Sequence, residues 1–119
     1  MKKVMVLGAS PNKRRFSNNC VKSLIRYGYE VIPVGIKSGD INGKAIISGK
    51  PNVKDLHTVT VYLNQSNQKE YYDYLISQNP RRIILNPGAE NPNLKELAEN
   101  HGIEVVEDCT LVMLNSGYF

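Results

Sequence analysis

The chain has 119 residues, 41% of them apolar and 22% charged, with a net charge of +4. That suits one soluble domain over 1–119 and leaves no length for a separate catalytic domain. No apolar run approaches a membrane span, and Met1-Lys2-Lys3 leads into a short apolar run rather than a signal peptide, so no membrane partner and a cytoplasmic location are expected.

The charge is uneven. Residues 1–50 carry ten Lys or Arg against Glu30 and Asp40, whereas residues 51–119 carry five against nine acids. The first part is thus +8 and the second −4, which favours an anionic ligand held by the first. Cys20 and Cys109 lie far apart among apolar neighbours and read as reduced core thiols. With only two isolated histidines beside them, no metal-ligand spacing exists and no metal site is expected.

In chain order, a strand is expected over 3–8, ending at Gly8, where a residue without a Cβ lets the backbone turn sharply and approach a ligand. Ala9 and Ser10 are also small, so amides here can face an anion. A helix over 17–27 follows, with Cys20, Val21, Leu24 and Ile25 on one face, Ser17 as its N-cap and Gly28 as its terminating glycine. Lys13, Arg14 and Arg15 add full charges to the positive end of that helix, an arrangement suited to phosphate.

A second strand is expected over 30–34. The stretch 35–57 is too long for a normal connection and contains Ile41-Asn42-Gly43 and Ala45-Ile46-Ile47, so a small extra strand and a turn replace a crossover helix. Next come a strand over 58–63 and a helix over about 67–78, whose Tyr71, Tyr72, Tyr74, Leu75 and Ile76 read as core with a wet edge. A strand over 82–85 precedes a helix over 92–101, opened by the Asn91-Pro92 cap and closed by Gly102. A last strand covers 103–107, and the apolar stretch 109–114 is read as a short helix rather than a sixth strand. The alternation predicts an α/β fold: a Rossmann-like, doubly wound, mainly parallel five-stranded sheet with helices on both faces.

A site for NAD needs G-x-G-x-x-G after the first strand and an acid after the second. Gly8-Ala9-Ser10-Pro11-Asn12-Lys13 lacks the later glycines, and Ile32-Pro33-Val34-Gly35 ends without a carboxylate. Lys37 instead lies where a cation meets a phosphate on the ribose.

At this point the pattern resembles the small coenzyme A-binding proteins, related to the nucleotide-binding domain of the α subunit of succinyl-CoA synthetase. The matching pieces are Gly8-Ala9-Ser10-Pro11 with Arg15 and Ser17, and Tyr27-Gly28-Tyr29-Glu30-Val31-Ile32-Pro33-Val34 with Lys37. Ile41-Asn42-Gly43, Gly88-Ala89-Glu90-Asn91 and Gly102-Ile103-Glu104-Val105-Val106 with Cys109 continue the match in order. The resemblance implies coenzyme A (CoA) or an acyl-CoA as ligand. Gly8, Ala9 and the turn Ser10, Pro11, Asn12, Lys13 would cradle the pyrophosphate, with Arg15 beside it. Lys37 would stand near the phosphate-bearing ribose, and Val34, at the end of the second strand, would be a further binding residue. Leu63 and Asn64 would border the adenine or pantetheine, and Leu85, Asn86, Pro87 and Gly88 would line the pantetheine path. Gly35-Ile36 departs from the family's Asn-Pro before the lysine, and Asn86-Pro87 from its usual Gln, with one N–H donor fewer.

Nothing in the sequence supplies catalytic machinery: no Ser-His-Asp set, no paired carboxylates in a turn and no Walker A motif. His57 is expected in a loop and His101 at a helix end, where it complements the negative terminus. The expectation is a non-catalytic carrier, sensor or accessory module and not an enzyme. The alternative is an NADP-binding domain of an oxidoreductase. A nucleic-acid partner is not expected, because the cations belong to a phosphate turn rather than an aromatic-studded sheet face. A homodimer stays open.

Overall fold

Five apolar runs form five parallel strands, joined by segments that must cross the sheet because parallel neighbours cannot be linked by tight hairpins. The computed structural model describes residues 2–119. The elements are β1 (Lys3–Leu7), α1 (Phe16–Arg26), β2 (Glu30–Val34), β3 (Asp40–Ile41), β4 (Lys44–Ala45) and β5 (Leu56–Val61). They continue with α2 (Gln65–Gln68), a 3-10 turn (Lys69–Tyr71), α3 (Tyr72–Gln78), β6 (Arg82–Leu85), α4 (Pro92–Asn100), β7 (Glu104–Glu107) and α5 (Thr110–Ser116). The main sheet has the order β2-β1-β5-β6-β7, parallel throughout, which is the doubly wound α/β architecture expected.

Alternation along β1 divides the core. Val4 and Val6 face Cys20, Val21 and Leu24 of α1, together with Ile41, Ile46 and Leu114. Met5 and Leu7 face the other way, into a cluster with Val59, Val61, Ile83, Leu75, Leu94 and Ala98. Both faces are therefore covered, as a parallel sheet requires. No helix among the described residues is long and apolar enough to cross a membrane.

Several boundaries differ from expectation. Helix α1 begins at Phe16, with Arg15 in the N-cap position and no side-chain cap, while Ser17 is buried inside the first turn. The strand expected over 58–63 runs from Leu56 to Val61, which places His57 in a strand rather than a loop. The helix expected over 67–78 is broken into α2, the 3-10 turn and α3. The break follows from Gln68, whose fully buried amide donates to the carbonyls of Leu63 and Ala89, each at 2.8 Å, and so ties α2 to two loops. Tyr71, which closes the tighter turn, and Leu75 in α3 then reach the core.

The long 35–57 segment holds a hairpin, β3 paired antiparallel with β4 through Asn42-Gly43, both at positive φ as the favoured two-residue turn demands. Ile47 then bridges to Val34 alongside β2. Cys20 is buried, whereas Cys109, expected in the core, is half-buried at the start of α5; both thiols are free.

The helix α5 is pinned by Asn86. Its side-chain amide donates to Thr60 Oγ1 at 2.7 Å and to the Val61 carbonyl at 2.9 Å, and its Oδ1 accepts from the Thr110 amide at 2.9 Å. Thr60 and Thr110 hydroxyls meet at 2.8 Å, so every member of this buried set is satisfied by another. Asn86→Ala leaves those partners unpaired and should cost about 3 kcal/mol in urea unfolding, with α5 amides losing hydrogen-exchange protection first.

Candidate functional site

Strand order reverses between β1 and β5: the chain leaves β1 for β2 on one side and later returns to pair β5 on the other. Loops leaving the carboxyl ends of β1 and β5 diverge there, and open α/β sheets bind ligands in the crevice that results. A cleft of about 760 Å³ lies at this point.

Its floor is the turn after β1. Gly8 has φ +96°, and a Cβ there would lie 3.2 Å from both Tyr62 C and Leu63 Cδ2. The amides of Gly8 and Ala9 both donate to the Val34 carbonyl at 2.9 Å. These two amides, expected to face an anion, are thus consumed within the protein. The turn then closes on itself: the Asn12 amide donates to Ser10 Oγ at 3.1 Å, the Arg14 amide to Asn12 Oδ1 at 3.0 Å, and Asn18 Nδ2 to the Ser10 carbonyl at 2.9 Å. The amides of Ser10, Phe16 and Ser17, all at the cleft, have no protein acceptor among the described residues. The positive end of α1 therefore opens into the cleft uncapped.

Of the residues expected at the site, Gly8, Ala9, Ser10, Asn12, Arg15, Val34, Lys37, Leu63, Asn64, Pro87 and Gly88 line this cleft together. Val34 takes part through its backbone, because its side chain is buried. Four others stand elsewhere. Pro11 packs on Gly39, whose Cβ, were there one, would lie 2.8 Å from Pro11 Cβ, and Lys13 is exposed outside the lining. Leu85 and Asn86, expected along the pantetheine path, are buried: Leu85 is in the core, and Asn86 holds α5 as described.

The cleft also takes in residues that were not expected at the site: Phe16, Gly35, Ile36, Tyr62, Asn67, Glu70 and Tyr71. Phe16 and Ile36 are 72% and 89% exposed, an apolar rim over a polar floor. Their one sequence signal is adjacency to Arg15 and Lys37. Gly35 is required by contact rather than by torsion, since a Cβ there would lie 2.1 Å from the Ala9 carbonyl oxygen. The cations lining the cleft are Arg15 and Lys37, and Glu70 is its one carboxylate among the described residues.

Behind the cleft wall, burial pushes the Cys20 thiol up to about 12, and it pushes the Tyr62 phenol far above its ordinary range. Cys20 therefore stays neutral in the folded protein at pH values where the unfolded thiol ionises. No cluster of His, Cys, Asp and Glu among the described residues could hold a metal ion.

An open parallel sheet with exposed helix amides at its strand-order reversal is the architecture of nucleotide-binding α/β domains. The chain belongs to the CoA binding domain family, whose model matches residues 2–115. No curated protein matches it. The crystal structure of an uncharacterized protein is similar over 100% of this chain and 98% of its own, at 45% identity and a TM-score of 0.97. A Thermus thermophilus protein, cell-free ID.343, is 22% identical with a TM-score of 0.87, covering 99% of this chain and 90% of that one. The fold also recurs in a dinucleotide forming acetyl-coenzyme A synthetase from Candidatus Korarchaeum cryptofilum, at 13% identity and a TM-score of 0.75 over 90% of this chain and 26% of that one.

Two outcomes follow. Gly35→Ala should lower stability by about 1–3 kcal/mol in urea unfolding, because the loops after β1 and β2 must separate to admit the methyl group. Stability should also fall as pH rises from about 9 towards 12, between the ordinary Cys value and that of buried Cys20. There the unfolded thiol loses its proton and the folded one keeps it, so the unfolded state gains. Urea midpoints measured across that range check this, and Cys20→Ala should flatten the decline.

Proposed function

We propose that this protein binds coenzyme A or an acyl-CoA in the cleft at the end of β1, as a non-catalytic carrier, sensor or accessory module. The observation that carries the reading is the uncapped start of α1, whose Phe16 and Ser17 amides share the cleft with Arg15 and Lys37. Membership of the CoA binding domain family supports it. The Ser10, Phe16 and Ser17 amides take pyrophosphate oxygens, at a place where backbone dipoles and the Arg15 charge favour negative charge together. Lys37, beyond β2, meets the 3′-phosphate of the ribose. Leu63, Asn64, Pro87 and Gly88 carry the pantetheine across β5 towards β6.

A transferase or ligase needs groups that move protons or carry the reacting fragment. His57 stands at the other end of the sheet, and His101 is exposed at the C-cap of α4 with Nδ1 2.9 Å from the Leu97 carbonyl oxygen. Neither lines the cleft, which supports a ligand site without a histidine to carry or transfer a reacting group.

Titration calorimetry should show CoA binding more tightly than NADPH; absence of binding at millimolar CoA, or preference for NADPH, would overturn the reading and favour a dehydrogenase-type domain. Lys37→Ala should weaken CoA by about 1–3 kcal/mol and leave dephospho-CoA nearly unchanged, the mark of one charge-assisted contact to the 3′-phosphate. The purified chain should form no acyl-CoA from ATP, a carboxylic acid and CoA, as followed by thioester absorbance.

A further inference from the structure

At the opposite end of the sheet, the amino ends of β1, β5 and β6 surround a second cavity, of about 480 Å³, next to the C-terminal end of α3. Lys2, Lys3, His57 and Arg81 line it, with Asp55 as the one carboxylate. The backbones that carry these side chains are fixed by the sheet: the Lys2 carbonyl accepts from the Glu30 amide at 3.1 Å, the Arg81 amide donates to the His57 carbonyl at 3.0 Å, and the Arg81 carbonyl accepts from the Glu104 amide at 3.1 Å. Lys3 Nζ is directed onto the Lys54 carbonyl oxygen at 2.9 Å.

His57 Nδ1 lies 2.7 Å from Thr58 Oγ1, and Arg82 Nε donates to the same oxygen at 3.0 Å. The Thr58 oxygen has a second lone pair and one hydrogen left for His57 Nδ1, so the direction of that bond follows the ring tautomer, and with the hydroxyl donating the ring proton sits on Nε2. The neutral ring therefore still offers an N–H. Burial lowers the pKa of His57, and the positive charges of Lys2, Arg82 and Arg81 lower it further against the opposing effect of Glu104.

We propose that this cavity is a second anion site, separate from the cleft, which takes a small inorganic oxyanion of the phosphate or diphosphate class. Lys2, Lys3, Arg81 and His57 border one concavity with a single carboxylate among the described residues, and a concave site lined by one sign of charge concentrates the opposite ion. Lys2 and Arg81 supply the charge-assisted contacts, and the His57 Nε2 proton supplies orientation.

The test follows both imidazoles by NMR while pH is varied, with inorganic diphosphate or with chloride at matched ionic strength. A bound anion favours the imidazolium, so the pKa of His57 should be higher in diphosphate, saturably, while that of His101, exposed and outside the cavity, stays the same in both salts. Lys2→Gln and Arg81→Gln alter exposed side chains and should each weaken the diphosphate response about tenfold. The proposal is overturned if His57 responds no more than His101, or if its response survives both substitutions unchanged.

Discussion

The structure depends first on how closely three backbones pass at the end of β1. A Cβ on Gly35 would sit 2.1 Å from the Ala9 carbonyl oxygen, one on Gly8 would lie 3.2 Å from Tyr62 C, and one on Gly39 would lie 2.8 Å from Pro11 Cβ. The turn after β1 is thus held between the loop after β2 and the exit of β5, with the Val34 carbonyl accepting two of its amides. Its shape comes from the protein alone. A ligand arriving there meets amides already in place and spends little binding energy on ordering them.

The same crowding explains why α1 lacks a side-chain cap. The first turn of a helix has amides without intrahelical partners, and a serine, threonine or asparagine normally takes them. Here the candidate, Ser17, is buried two residues past the cap position, and Asn18 is turned back to the Ser10 carbonyl to brace the loop. What a cap would have stabilised is left open towards solvent at the cleft. Side-chain caps open α2, where Asn64 accepts from the Asn67 amide, and α4, where Asn91 accepts from the Asn93 and Leu94 amides, whereas the short α3 and α5 also start without one. The one long helix left without a side-chain cap at its start, among α1 and α4, is the one that faces the cleft.

Legibility in the sequence follows the range of the interaction involved. The strands were readable because β-branched and apolar runs need burial on both faces, and α4 because Asn91-Pro92 and Gly102 act within a few residues of themselves. The division of the 65–78 region was hidden, because it depends on Gln68 reaching carbonyls at Leu63 and Ala89, the second 21 residues away. Leu85 and Asn86 show the same limit. They stand at a strand end where a ligand path is expected, but Asn86 turns inward to Thr60 and Thr110, and no local pattern announces that pairing. Adjacency to a strand end gives the neighbourhood of a site, whereas inward or outward direction is fixed by partners distant in sequence.

The charge asymmetry is a signal that is single in the sequence and divided in space by the fold. The ten cations of residues 1–50 suggest one basic surface, because nothing in a linear count separates them. Folding places Arg15 and Lys37 at the carboxyl end of the sheet and Lys2 and Lys3 at its amino end, on opposite sides of a two-faced core. Each strand of a parallel sheet contributes both ends in the same sense. Cations that precede β1 are therefore carried away from cations that follow it, however close they stand in the chain. A basic segment interrupted by a parallel strand is thus divided between the two ends of the sheet, and the number of charges bears on neither end until the strand direction is known.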